Sequence, residues 1–135
     1  MRHWFLAAAM WLAVWSGGAV QAQSDDVRAV IDDQIAAFQA EDLDRAFAHA
    51  SPSIQGIFGT ADRFGQMVRQ GYPMVWRPDR LRYLDLRQEG EAWWQRVSIR
   101  DVQGAVHVLD YQMIQTPQGW KINAVYLLPP QGATS

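Results

Sequence analysis

Four residues of this chain could together move a proton: Tyr83, Asp85, Arg96 and Tyr111. A carboxylate held beside phenols in a dry pocket can abstract a proton next to a carbonyl, and a phenol can then stabilise the enolate. All four lie in stretches where apolar and polar residues alternate, so their meeting depends on which strand faces they occupy. The same residues also fit a plainer arrangement. Asp85 and Arg96 would pair across neighbouring strands, with Tyr83 stacked on the guanidinium. This second arrangement is favoured, because charge pairs of this kind are common structural devices.

Asp110 interrupts the otherwise apolar VHVLDYQMI. A catalytic or ligand role is open to it. A hydrogen-bonded residue beside Gln112 and Asn123 is the preferred reading, since buried carboxylates are usually paired. His49 sits beside an apolar helical stripe and His107 near a strand start. Neither has an evident orienting partner, so each is expected to be a surface or satisfied histidine. The third histidine, His3, is far from both, and there is no cysteine. No metal site and no cofactor are expected. Arg77, Arg80, Arg82, Arg87, Arg96 and Arg100 alternate with Asp79, Asp85, Glu89, Glu91 and Asp101. Such interleaving reads as a solvated, salt-bridged edge, with anion binding as the second reading.

The elements that must position these groups begin after a leader. Arg2 and His3 precede a chargeless run, Trp4 to Trp15, then Ser16-Gly17-Gly18, and Val20-Gln21-Ala22 offers small residues at a cleavage site. That order reads as a secretory signal peptide over residues 1–22, cut after Ala22, and the run is too short to span a bilayer, which takes about 20 residues. The expected location is periplasmic or secreted. Residues 23–128 are read as one domain and 129–135 as a disordered tail. Without cysteines, the stability of an exported domain must come from packing. Without Arg2, 11 basic side chains face 14 acidic ones. That balance argues against nucleic acid and against attachment to anionic lipid once the leader is gone.

Helical spacing comes first. Val27, Val30, Ile31, Ile35 and Phe38 share a face behind a Ser24 cap; Leu43, Ala46, Phe47 and Ala50 repeat it. Ser51-Pro52 opens a short turn. Thr60 caps a further helix with Phe64, Met67 and Val68 inward, ended by Gly71 in a left-handed conformation. Strands are predicted near 73–76, 80–87, 92–101, 105–115 and 119–127, with hairpin turns at Glu89-Gly90, Gln103-Gly104 and Pro117-Gln118-Gly119. The class is therefore α+β, with helices packed on one face of an antiparallel meander.

Loops of two or four residues would set Tyr83 opposite Arg96 and Asp85 opposite Trp94. The helix-facing side would then carry Leu81, Tyr83, Asp85, Trp94, Arg96, Ser98, His107, Leu109, Tyr111, Met113, Trp120, Ile122, Ala124 and Tyr126, and its mixed half would form a part-covered pocket. Leu84, Leu86, Trp93, Val97, Ile99 and Val108 would form an apolar patch outside, and a homodimer is expected through it. In RQGYPMVWRP (Arg69 to Pro78), Tyr72, Met74 and Trp76 would line the cavity mouth.

The order of elements, and the closing GWKINAVYLL, resemble the nuclear-transport-factor-two-like (SnoaL-like) superfamily, whose helices wrap a curved sheet and leave a cone-shaped cavity. More narrowly, AFAHASPSIQGIFGTADRFGQMVRQGYPMVWRP, WWQRV and HVLDYQMIQTPQGWKIN are similar to an exported proteobacterial family of unknown function, number 4864. That resemblance implies a fold and export, and no activity. The preferred function is a non-catalytic module holding a small apolar or amphipathic ligand, with Tyr72, Trp76, Tyr83, Asp85, Trp94, Arg96 and Tyr111 as its binding residues. The alternative is a small isomerase or hydrolyase, independent of cofactors, with Asp85 or Asp110 as base. A purely structural dimer is a third reading.

Overall fold

The computed structural model describes residues 16–130. Residues 1–15 of the expected leader and residues 131–135 of the expected tail lie outside them. Five helices, α1 (Ser16–Gln39), α2 (Leu43–Ala48), α3 (Pro52–Phe58), α4 (Ala61–Gly71) and α5 (Pro73–Trp76), precede four strands. The strands β1 (Pro78–Glu89), β2 (Ala92–Asp101), β3 (Val106–Thr116) and β4 (Gly119–Leu127) form one antiparallel sheet in chain order. This is the expected α+β architecture of helices on a curved meander. Among the described residues no helix is long and apolar enough to cross a membrane.

Side-chain caps start the short helices. Asp42, Ser51 and Thr60 accept from the backbone N–H of Arg45, Ile54 and Arg63, satisfying donors that a first turn leaves orphaned. Thr60 matches expectation; Ser24 does not, because it lies inside α1. The helix runs through Ala22, but its buried stripe begins only at Val27, and Gly18 to Ala22 are exposed.

Gly71 does not take a left-handed conformation; it is the last residue of α4, and Tyr72 (φ −134°) ends the helix. A residue before proline avoids helical backbone, so Pro73 makes the stop. Pro73 then opens α5 rather than a strand. Proline suits a first helical turn, where its missing N–H would have no partner anyway. Met74 and Val75 are adjacent and both buried, which a strand's alternation would not allow. The predicted strand at 73–76, and its alternation of Tyr72, Met74 and Trp76 against the rest, are therefore replaced by a helical turn.

The sheet's register departs from the predicted one at three places. Gly104 (φ 91°) lies in a loop of five residues, Asp101 to Ala105, so Arg100 faces Val106 and Val97 faces Leu109. An odd loop reverses the faces of β2. The Asp101 carboxylate holds the loop by accepting from the N–H groups of Gln103 and Ala105. In β1, a bulge at Leu84-Asp85 separates Leu86↔Gln95 from Tyr83↔Val97. Gln95, fully buried, donates to the Leu84 and Asp85 carbonyls and so pins that bulge. In β4, a bulge at Asn123 separates Met113↔Ile122 from Gln112↔Ala124.

As a result the helix-facing side carries Gln95, Val97 and Ile99 with Leu109, Tyr111, Met113, Trp120 and Ile122. Leu81, Tyr83, Leu86, Trp93 and Val125 pack against it. Asp85, Trp94, Arg96, Ser98, Ala124 and Tyr126, expected inside, belong to the other face. Leu86, Trp93, Val97 and Ile99, expected outside, are core. Of the apolar outer patch from which a homodimer was expected, only Leu84 and Val108 stay outside.

One further contact ties the helices to the sheet. The Ser51 N–H donates to the Ile122 carbonyl, the Ile122 N–H donates to the His49 carbonyl, and the buried Ser51 hydroxyl donates to Asn123. The segment between α2 and α3 thus covers part of the β4 edge, which would otherwise offer unpaired backbone.

The observed register makes a sharp prediction. Ile99→Ala should lower unfolding free energy by about 2–5 kcal/mol, whereas Ser98→Ala should stay within about 0.5 kcal/mol. Urea unfolding of both variants checks this; the reverse order would restore the register with Ser98 inside.

Candidate functional site

Between α3, α4 and the β3–β4 half of the sheet lies a cavity of about 270 Å³. Its helical wall is built on Phe64, whose ring lies 5.9 Å from Phe38, 5.4 Å from Phe47 and 5.8 Å from Phe58. The helical spacing of Phe64, Met67 and Val68 turns all three towards the cavity. Tyr111, Ile122 and Val125 form the sheet wall. No lining residue is charged; the polar ones are Gln34, Tyr72 and Tyr111, and Tyr126 borders the cavity although its ring lies beside Trp94 on the outer face.

Two of these are already engaged. The Gln34 amide donates to the Ala46 carbonyl at 3.1 Å, and the Tyr72 hydroxyl donates to the Val125 carbonyl at 3.2 Å. The Tyr111 hydroxyl, fully buried, has no partner among the described residues. Burial pushes its pKa well up, and nearby Tyr72 adds to this, so it stays protonated and able to donate.

Of the seven residues expected to bind a ligand, Tyr72 and Tyr111 line the cavity and the other five do not. Trp76 packs behind the wall, 5.6 Å from Phe38 with the Arg77 guanidinium over its ring at 4.9 Å. Tyr83 is inward but reaches α1, where its hydroxyl donates to Asp32 and the Arg28 guanidinium covers its ring at 5.0 Å. Burial first, then that hydrogen bond, raises its pKa. Asp85 projects to solvent from the β1 bulge, 3.9 Å from Arg87. Trp94 lies on the outer face, 5.7 Å from Tyr126.

Arg96 is also outside, and its partner is not Asp85. It faces Asp110 directly across β2 and β3, and donates from Nε (3.2 Å) and Nη2 (3.0 Å). Arg87 forks onto the same carboxylate at 3.3 and 2.8 Å. Burial alone would raise the Asp110 pKa; the hydrogen bonds from Arg87 and Arg96 outweigh it and hold it lowered. The cavity therefore contains neither of the two carboxylates on which a proton-abstracting enzyme was to rest. The proposed grouping of Tyr83, Asp85, Arg96 and Tyr111 is not assembled.

Both described histidines have acidic partners that lie far off in sequence or across a loop. His49 pairs with Asp33, which also binds Arg45, and His107 Nε2 lies 2.8 Å from Asp101. Among the described residues no group of His, Cys, Asp and Glu is arranged to hold a metal. Phe38, Ile54, Phe58, Phe64 and Val125 line the cavity and were not foreseen as site residues. The signal available was the helical apolar spacing, which marks a residue as inward without saying whether it meets protein or space.

The family described as Domain of unknown function (DUF4864) matches residues 20–135. No curated protein matches. An NTF-2 like protein of unknown function from Shewanella oneidensis MR-1 is similar in structure, with a TM-score of 0.52 and 15% identity, over 78% of this chain and 98% of that one. A phospholipid-binding protein from Ralstonia solanacearum, solved in complex with a phospholipid, gives a TM-score of 0.48 and 15% identity over 76% of each chain. The fold is thus NTF-2-like.

The ion pairs around the site predict an acid response. Asp33 is lowered from 3.8 to about 2, first by its hydrogen bond from Arg45 and then by that from His49. A carboxylate lowered in the folded state stabilises the fold above its unfolded pKa and loses that contribution as pH falls through the folded value. Urea midpoints should therefore hold down to about pH 4 and fall between about 4 and 2, less steeply in Asp33→Asn. Identical slopes in the two proteins would exclude this pair as a source.

Proposed function

We propose that this chain, which belongs to the family described as Domain of unknown function (DUF4864), is a non-catalytic binding protein that acts after export. It holds a small, uncharged, mainly apolar molecule carrying a hydrogen-bond acceptor. The observation that supports this best is the largely apolar cavity lining, which includes Tyr111, whose hydroxyl is buried without a protein partner. A buried donor left unmade is unfavourable by about 1–3 kcal/mol, so a ligand oxygen that accepts from it gains what the empty wall lacks. A charged ligand group would find no counter-charge in the lining and would lose its hydration. The size agrees: about 270 Å³ sits just under the usual range for ligand pockets.

Export is supported by the leader pattern of residues 1–22. Cutting after Ala22 would remove only exposed residues from the described part of α1 and none of its buried stripe. Intact mass of protein recovered from the periplasm should correspond to a chain starting at Gln23; a cytoplasmic, full-length product would count against export.

Cumene and acetophenone test the ligand reading. They have equal numbers of non-hydrogen atoms, and only acetophenone carries an acceptor. Both should bind the wild-type protein in a calorimetric titration, and benzoate should not. Tyr111→Phe should weaken acetophenone by roughly 2- to 12-fold and leave cumene unchanged or tighter. The variant itself should be no less stable, because it removes an unpartnered hydroxyl. Failure of either probe to bind would defeat the cavity reading, and equal effects on both would defeat the role of Tyr111.

A further inference from the structure

The outer face of the sheet holds a second concavity, independent of the cavity. It has a volume of about 220 Å³ and is lined by Arg80, Arg82, Ser98, Arg100 and Val106. The register explains how three guanidiniums come together. Arg80 faces Arg100 directly across β1 and β2, and Arg82 faces Ser98. Like charges directly opposite one another on a sheet face are unfavourable. Only part of that charge is offset here. Asp79 accepts from Nε and Nη2 of Arg100 at 2.8 and 2.7 Å. No ion pair among the described residues engages Arg80 or Arg82.

The contrast with the other end of the same face is informative. There Arg87 and Arg96 also come close, but both fork onto the buried Asp110. The chain gives both members of one arginine pair a shared carboxylate, and in the other it pairs only Arg100, with Asp79. The whole protein carries a net charge of −2, so the uncompensated site is a local reversal of sign.

We propose that Arg80, Arg82, Ser98 and Arg100 bind a phosphate-type oxyanion. Guanidinium forks match the oxygens of a phosphate, and the Ser98 hydroxyl adds a neutral donor at the floor. The concavity would hold about seven water-sized groups, enough for one phosphate with its waters. A free phosphate and the phosphate of a lipid headgroup offer the same oxygens, so the site fits the shared chemistry of both.

Two measurements at fixed ionic strength separate the sources: calorimetric titration with inorganic phosphate, and co-sedimentation with phosphatidylglycerol vesicles against phosphatidylcholine vesicles. Wild-type protein should bind in at least one of them. The double variant Arg80→Gln/Arg82→Gln should bind about tenfold or more weakly. The control Arg63→Gln/Arg69→Gln, with the same change in charge on exposed α4, should bind as wild type does. Binding of inorganic phosphate identifies a soluble oxyanion; binding of phosphatidylglycerol vesicles alone identifies a headgroup. No binding in either, or equal loss in the control, overturns the proposal. Folding is monitored independently: without anion, the double variant should melt no lower than wild type, because it relieves repulsion.

Discussion

One helical layer can bury only one face of a four-stranded sheet, so each strand must place its apolar alternates on the same side. The five-residue loop from Asp101 to Ala105 meets that condition for β2. With one residue fewer, Val97 and Ile99 would face water. Arg96 would lie beneath the helices, away from Asp110, and an unpaired buried guanidinium is strongly unfavourable. The bulges at Leu84-Asp85 and at Asn123 do the same for the far ends of β1 and β4, turning Tyr83 and Val125 inward. The buried Gln95 amide and the Ser51–Asn123–Gln112 chain of hydrogen bonds are there because bulges leave backbone and side-chain polar groups that something must satisfy.

The cavity follows from how the helices are held above that face. The segment at Ser51 is tied to the β4 edge, and Arg77 ties α5 to the end of α1 by donating to the Phe38 carbonyl at 2.9 Å. Helix α4 stands on α2 at Gly65, where an added Cβ would come within 2.7 Å of the Leu43 side chain. That close approach draws α4 towards α2, and its opposite side, with Phe64, Met67 and Val68, faces the open volume. Met74 and Val75 fill the core beside it. A helical turn at Pro73–Trp76 is compact enough to bring two consecutive residues inward, where a strand would have offered one.

The sequence was informative where the signal is local. The class, the element order, the Thr60 cap and the inward stripe of α4 all come from spacing of 3.6 or 2 and from capping chemistry. The helix at Pro73–Trp76 was missed because four residues are too few to show a period, and Pro73 and Pro78 suggested extended backbone. Strand faces were missed because parity is not local: one uncounted loop residue, Ala105, reverses every side chain of β2. The candidate site inherited that error. Tyr111 and Tyr72 do line the cavity: the loop leaves the face of Tyr111 on β3 unchanged, and Tyr72 is fixed by Pro73. The loop residue carried Trp94 and Arg96 to the other face, the β1 bulge displaced Asp85, and Asp110 acquired two arginines that sequence distance concealed.

That redistribution also bears on the kind of chemistry this fold can host here. A proton abstraction in a dry cavity needs a base whose pKa lies near the working pH, which requires a carboxylate with burial and few donors. Asp110 has the burial, but two guanidiniums hold its pKa down and its oxygens are already engaged. Asp85 has neither burial nor a place on the inner face. Among the residues that line the cavity, Tyr111 combines burial with an unengaged polar atom, and burial moves its pKa upward, away from any role as a base. A lining with Phe38, Phe58 and Phe64 beside the phenols of Tyr72 and Tyr111 carries no carboxylate and no imidazole, so a neutral group suits it better than a charged one.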